Sequence, residues 1–261
     1  MIERPRRSVE GVGLHVLRFG DDGPGPEKRG PKVVVVHGGM DRASSFGRVA
    51  RQLSGMALVT YDRRGYGRSI DAGTATLDGH VADLFEVVGT DEVVVFGHSM
   101  GGVIGLVSAQ RRPDLVRAVL AFEAPTPWMP WWPTPEIRER LDPSDEAERF
   151  MRHMVGDDLW GRLPPKARAD RRAEGPALLA DLASLHCATA PFDPARIVQP
   201  VTSAAGGETT WWHRRAADEL AAALPRGESA TIAGATHGAH LTHPGAVADL
   251  VRRTCARATA P

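Results

Sequence analysis

Short apolar runs alternate with stretches of helical period along most of the chain. Residues 33–36 are four consecutive valines, too short a run for a helix and apolar enough for burial on both faces of a sheet. Residues 57–60, 93–96, 118–122 and 201–205 have the same character, each followed closely by Gly, Pro or Asp. Residues 230–233 are a weaker candidate for a last strand. Between these runs, residues 45–53, 77–88, 101–110, 213–224 and 246–257 place apolar side chains at helical spacing. The alternation predicts an α/β fold, a mostly parallel sheet with helices on both faces. Near the start, residues 8–10 and 14–18, joined through Gly11-Val12-Gly13, suggest a hairpin. The Gly- and Pro-rich stretch 21–31 suggests a surface loop.

The alternation stops once. From residue 125 to 194 no strand is expected, while 136–141, 145–155 and 176–185 have helical character. This segment opens with Trp128, Met129, Trp131 and Trp132 interleaved with prolines. An insertion of this kind predicts a helical cap at 125–194 on an α/β domain formed by 1–124 and 195–261.

Composition narrows the class. Apolar residues make up 42% and charged residues 25% of the 261, which excludes disordered and fibrous classes. The 32 basic and 32 acidic side chains balance, which argues against a nucleic-acid surface or a polybasic membrane patch. No apolar run approaches the ~18–20 residues that span a bilayer. No secretory signal is visible, so the expectation is a cytoplasmic globular protein with a small-molecule substrate and an oligomeric state left open. Cys187 and Cys255 are too few for a disulfide framework and lack metal-ligand spacing; no metal or cofactor is expected.

The strongest motif is Gly97-His98-Ser99-Met100-Gly101-Gly102, directly after the 93–96 run and before a helical stretch. Its glycines have a steric purpose, because so sharp a strand-to-helix reversal leaves no room for side chains two residues either side of the serine. The serine hydroxyl is then exposed at the tip, and the following helix offers N–H groups to developing negative charge. After the 33–36 run comes His37-Gly38-Gly39-Met40, small enough for a backbone N–H to approach a substrate oxygen. The Met100 and Gly39 N–H groups are the candidate oxyanion donors, and His37 has a structural hydrogen-bonding role.

His37-Gly-Gly, Tyr61-Asp62-Arg63-Arg64-Gly65-Tyr66-Gly67-Arg68-Ser69, Gly97-His-Ser-Met-Gly-Gly and Gly234-Ala-Thr-His237 together resemble the α/β-hydrolase superfamily in order and spacing, over almost the whole chain. The resemblance implies an eight-stranded, mostly parallel sheet, a cap inserted after the sixth strand, and a Ser–acid–His triad. It implies Ser99 as nucleophile and His237 as base, with His240 and His243 nearer the final helix. The family usually places its acid after the seventh strand, but here that turn reads Gly206-Gly207-Glu208-Thr209-Thr210. Threonine occupies the usual acid position, and Glu208 stands one place early. A variant places the acid after the sixth strand, where this chain has Glu123. A carboxylate ending a buried strand is costly unless paired, which favours Glu123 as the group orienting the histidine, with Glu208 as the alternative. Asp62 is expected to brace loops.

Beside the nucleophile and the oxyanion loop, Met40, His98 and His240 are candidate substrate contacts. Trp128, Met129, Trp131 and Trp132 are candidates from the cap, where packing is the competing reading. The implied activity is hydrolysis of an ester, thioester, lactone or similar activated carbonyl of a small apolar or aromatic molecule, through an acyl-enzyme. Carbon–carbon bond hydrolysis on the same triad, or a non-hydrolytic binding or biosynthetic role on this scaffold, are the alternatives. Ser at position 99 sets the chain apart from epoxide hydrolases and dehalogenases, which need an Asp nucleophile.

Overall fold

The computed structural model describes residues 13–20, 31–133 and 142–259. The first half of the expected hairpin (8–10), most of the 21–31 loop and the expected 136–141 helix lie outside the described residues. Seven strands form one sheet: β1 (Val16–Phe19), β2 (Lys32–Val36), β3 (Leu58–Tyr61), β4 (Val93–His98), β5 (Val116–Phe122), β6 (Val201–Gly206) and β7 (Gly227–Ile232). Their order is β1-β3-β2-β4-β5-β6-β7. Only β1 runs antiparallel, against β3; the other pairs are parallel. The eight strands implied by the resemblance are therefore corrected to seven among the described residues. The stretch 8–10, which would supply the leading strand, is outside them.

The valine run shows why a sheet forms here. Val34 and Val36 face one apolar cluster, Val33 and Val35 the other, and all four are fully buried. A segment buried on both faces needs helices on both sides. Helices α2 (Leu77–Val88), α3 (Met100–Arg111) and α8 (Trp211–Ala223) supply apolar side chains to the first cluster. Helices α1 (Gly47–Gln52) and α10 (Pro244–Thr259), with the short α9 (Ala239–Thr242), cover the other face.

Between β5 and β6 the chain forms α4 (Pro143–Val155), α5 (Asp157–Arg162), α6 (Pro165–Ala173) and α7 (Gly175–Leu185). Asp142 caps α4 by accepting from the Ser144 and Asp145 N–H groups, with Pro143 in the first turn. Ala147, Met151, Trp160, Ala177 and Leu178 of this segment form a third apolar cluster with Met40 and Tyr66 from loops after β2 and β3. Polar bonds tie the same parts together. Arg63, fully buried, pairs with Asp181 of α7 at 2.6 Å, and Tyr66 Oη donates to the same carboxylate at 2.7 Å. Buried Glu174 accepts from Arg42 at 2.6 Å and from the Gly67 N–H at 2.9 Å. No helix among the described residues is long and apolar enough to cross a membrane.

Candidate active site

Polar side chains collect where β2, β4, β5, β6 and β7 end, the side of a parallel sheet where crossover loops leave room for a ligand. β4 ends at His98 and α3 begins at Met100, so Ser99 alone makes the reversal. Its φ of 54° and ψ of −123° lie in a region that costs a non-glycine residue on the order of 1–3 kcal/mol. Two backbone bonds hold it there: Ser99 N–H donates to the Phe122 carbonyl, and Gly102 N–H to the Ser99 carbonyl, both at 2.8 Å. The flanking glycines are compulsory. A Cβ at Gly97 would sit 2.2 Å from the Gly101 oxygen, and one at Gly101 would sit 2.0 Å from the Val36 oxygen.

The loop after β2 lies against this turn. A Cβ at Gly38 would come within 2.9 Å of the Ser99 Cβ. His37 is locked on both ring nitrogens: Nδ1 donates to the Gly38 carbonyl at 2.7 Å and Nε2 accepts from the Arg63 N–H at 2.8 Å. Burial, reinforced by the Arg63 charge, pushes its pKa down to about 4, as that bonding requires of a neutral ring. Gly39 sits beneath α7, with Leu178 and Asp181 nearest to where a Cβ would be. The Met40 side chain is buried in the third cluster, and its carbonyl accepts from Arg171 at 2.7 Å. Asp62 accepts from the Ala43 and Arg68 N–H groups at 2.8 and 2.9 Å, bracing two loops.

Glu123 follows β5 with φ at 49°, and its carboxylate is enclosed by donors. Oε2 lies 2.6 Å from His237 Nδ1 and accepts from Thr209 Oγ1 at 3.0 Å; Oε1 accepts from the Gly206 N–H at 2.9 Å. Burial pushes the carboxyl up, but the His237 bond and the His237 and His213 charges outweigh it and hold the pKa below the ordinary value. The His237 carbonyl accepts from His98 Nε2 at 2.9 Å, with the two rings 4.6 Å apart, which seats the imidazole beside the elbow. Glu208 is exposed on its turn and its carboxylate has no partner among the described residues. Thr209 explains the difference, because that turn presents a hydroxyl donor to Glu123 where the usual family pattern presents an acid.

The aromatic candidates divide. Trp128 packs edge-on against Phe192 and joins the first core cluster. Trp131 donates from Nε1 to Glu219 of α8 at 3.0 Å and lies under Arg215. Trp132 meets His213 edge-on at 5.3 Å, and His213 lies 5.1 Å from His237. Half-buried Met129 closes a turn onto Thr126. His98 and His240 are buried, both next to Asp41. A surface depression of about 370 Å³ between residues 74–76 and α7 contains none of these groups. Sequence reasoning missed His213, which stands 3.6 Å from Glu123 Oε2 while Thr210 Oγ1 contacts its Nδ1 at 2.9 Å. Burial first, then His237, push its pKa down to about 4. Its only sequence signal is its place three residues beyond the Thr209-Thr210 turn.

A serine in a strained strand-to-helix turn, with a carboxylate–imidazole pair at the ends of neighbouring parallel strands, defines an α/β-hydrolase class of protein. The chain belongs to the alpha/beta hydrolase family, which it matches over residues 33–250. It is 34% identical to Lipase LipV of Mycobacterium tuberculosis over 115 residues, 43% of this chain and 42% of the lipase. The match thus spans less than half of that relative. Among solved structures, the enol-lactonase from Burkholderia xenovorans LB400 superposes with a TM-score of 0.69 at 20% identity, covering 93% of this chain and 96% of the other. The thioesterase domain from the curacin biosynthetic pathway gives 0.63 at 18% identity, covering 94% and 97%.

Proposed function

We propose that the protein is a serine hydrolase that cleaves an ester, thioester, lactone or similarly activated carbonyl through an acyl-enzyme. The supporting observation is the 2.6 Å contact between His237 Nδ1 and Glu123 Oε2, made beside a serine held at positive φ. Glu123 fixes the tautomer with the proton on Nδ1, leaving Nε2 to take the Ser99 proton as Oγ attacks the carbonyl. The Met100 and Gly39 N–H groups receive the oxyanion, each worth roughly 3 kcal/mol in the transition state. His237 then returns the proton to the leaving group. Water, deprotonated by the same imidazole, attacks the acyl-serine, and collapse of the second tetrahedral species frees Ser99. Every step uses protein groups and water alone. Ser99 Oγ has no hydrogen-bond partner among the described residues, consistent with catalytic bonds that tighten only around substrate.

The segment from α4 to α7 is the proposed cap. The rings of Trp132, Trp212 and His213 near His237 support an apolar or aromatic substrate. The names of the relatives, a lipase, an enol-lactonase and a thioesterase, agree with an activated carbonyl. A fluorophosphonate probe tests the proposal: native protein should be labelled at Ser99, and Ser99→Ala should neither label nor turn over acyl esters while keeping its circular dichroism. Unlabelled wild type, or residual turnover in Ser99→Ala, overturns it.

A further inference from the structure

A second group of titratable side chains sits behind the elbow. Asp41 follows the oxyanion loop, His98 precedes Ser99, and His240 lies in α9 just past His237. One donor atom from each lies within 4.8 Å of the others. His240 Nε2 is 3.2 Å, and His98 Nδ1 4.0 Å, from Asp41 Oδ2. Both histidines are only 4% exposed. Among the described residues, His98 Nδ1 and His240 Nδ1 have no hydrogen-bond partner, and Asp41 Oδ2 and His240 Nε2 meet only each other, as an ion-pair contact without hydrogen-bond geometry. A buried polar atom left without a good partner is costly, and several in one place call for a ligand.

The outer sides of these groups are already engaged. His98 Nε2 donates to the His237 carbonyl, which leaves Nδ1 with its lone pair free. The Arg42 N–H donates to Asp41 Oδ1 at 2.8 Å and turns Oδ2 toward the imidazoles. Phe46 stacks on the His240 ring at 4.5 Å and 16°, fixing its plane. Metal-binding imidazoles and carboxylates are typically held in this way by outer partners.

We propose that Asp41, His98 and His240 bind a divalent transition-metal ion of the zinc type. Two imidazoles and one carboxylate suit Zn²⁺, Co²⁺ or Fe²⁺, whereas Mg²⁺ and Ca²⁺ take oxygen ligands. Around an ion with bonds of about 2.0–2.1 Å, tetrahedral ligand atoms stand roughly 3.3 Å apart. The Asp41–His240 spacing fits as it stands, and His98, 4.0 Å from Asp41 and within 4.8 Å of His240, needs to approach by up to about 1.5 Å. The ion ties the oxyanion loop, the elbow and the base loop together, and the reacting groups stay with Ser99, His237 and Glu123. Because the ligands come from a loop, a strand end and a short helix far apart in the chain, no local spacing in the sequence announces them.

The test uses chelator-treated protein titrated with Co²⁺, read by visible absorption, then with Zn²⁺ as competitor. Wild type should bind Co²⁺ saturably and stoichiometrically, release it to Zn²⁺, and melt at higher temperature with Zn²⁺ bound. Losing an outer partner costs about 10–100-fold in metal affinity, so Asp41→Asn and His240→Gln should each lose more than that. Circular dichroism checks that both fold. Glu123→Gln and His213→Asn should bind as wild type does. No saturable band in wild type overturns the proposal. So does a band kept in His240→Gln and lost in Glu123→Gln, which moves the ion to the Glu123–His213–His237 group. Neither result bears on fluorophosphonate labelling, so the two proposals fail separately.

Discussion

Glu123 sits at the end of a buried strand in a backbone conformation with φ at 49°, and its position is paid for by three hydrogen bonds to its two oxygens. A group so enclosed acts through charge and direction. Glu123→Gln preserves the shape but removes the charge and allows the wrong His237 tautomer, the kind of change that lowers kcat by roughly 10⁴-fold in serine triads. Glu208→Gln, on the exposed turn, should leave kcat within about twofold, since surface changes away from such features have small effects. Steady-state kinetics on one acyl ester separates the two, and equal losses would remove Glu123 from its proposed role. Ser99, Glu123 and His237 stand out as candidates in the sequence for separate reasons: glycines two residues either side of Ser99, a carboxylate ending an apolar strand at Glu123, and a small-residue loop after the last strand run at His237. His213 does not, since its proximity to Glu123 arises only when α8 packs beside β6.

At the scale of elements, β2 to β6 and α2, α3, α8 and α10 lie within a few residues of where periodicity places them. Burial on both faces leaves little ambiguity in an all-valine run. The failures have local causes. Helix α6, Pro165–Ala173, buries no residue at all, and α5 is only six residues long with Trp160 alone buried, so neither prints an apolar stripe. The edge strand β7 begins at Gly227, ahead of the expected 230–233, because its alternating exposure mixes Glu and Ser with the apolar positions. Helix α7 owes its attachment to the Arg63–Asp181 pair, with Tyr66 and His80 on the same carboxylate. Removing one partner of a buried pair strands the other charge. Asp181→Ala should therefore lose about 3–5 kcal/mol in urea unfolding, and Asp181→Asn, which keeps an oxygen acceptor, should lose less. A loss below about 1 kcal/mol for Asp181→Ala would show that water reaches Arg63.

Across the whole molecule, buried ionisable groups make stability depend on pH in one direction. His37 and His213 are pushed down to about 4 by burial, while in the unfolded chain they return to the ordinary value near 6.5. Between those values the unfolded chain binds more protons, so acid favours unfolding. Their contribution is complete above about pH 6.5 and is lost progressively as pH falls toward about 4. Asp181 and Glu123, whose carboxyls are held below their ordinary range, extend the loss further, since their contribution disappears as pH falls through those lowered values. Stability should therefore decline without a plateau from neutral pH into the acid range. Urea midpoints at several pH values would follow it. His213→Asn should flatten the slope between about pH 6 and 4 by up to about 1.4 kcal/mol per pH unit, one proton's share. His213 touches Glu123 and His237 but is not the group bonded to Glu123 at 2.6 Å, so this variant separates its part in acid stability from the proton transfers assigned to His237. An unchanged slope would mean that His213 is protonated alike in the folded and unfolded chain.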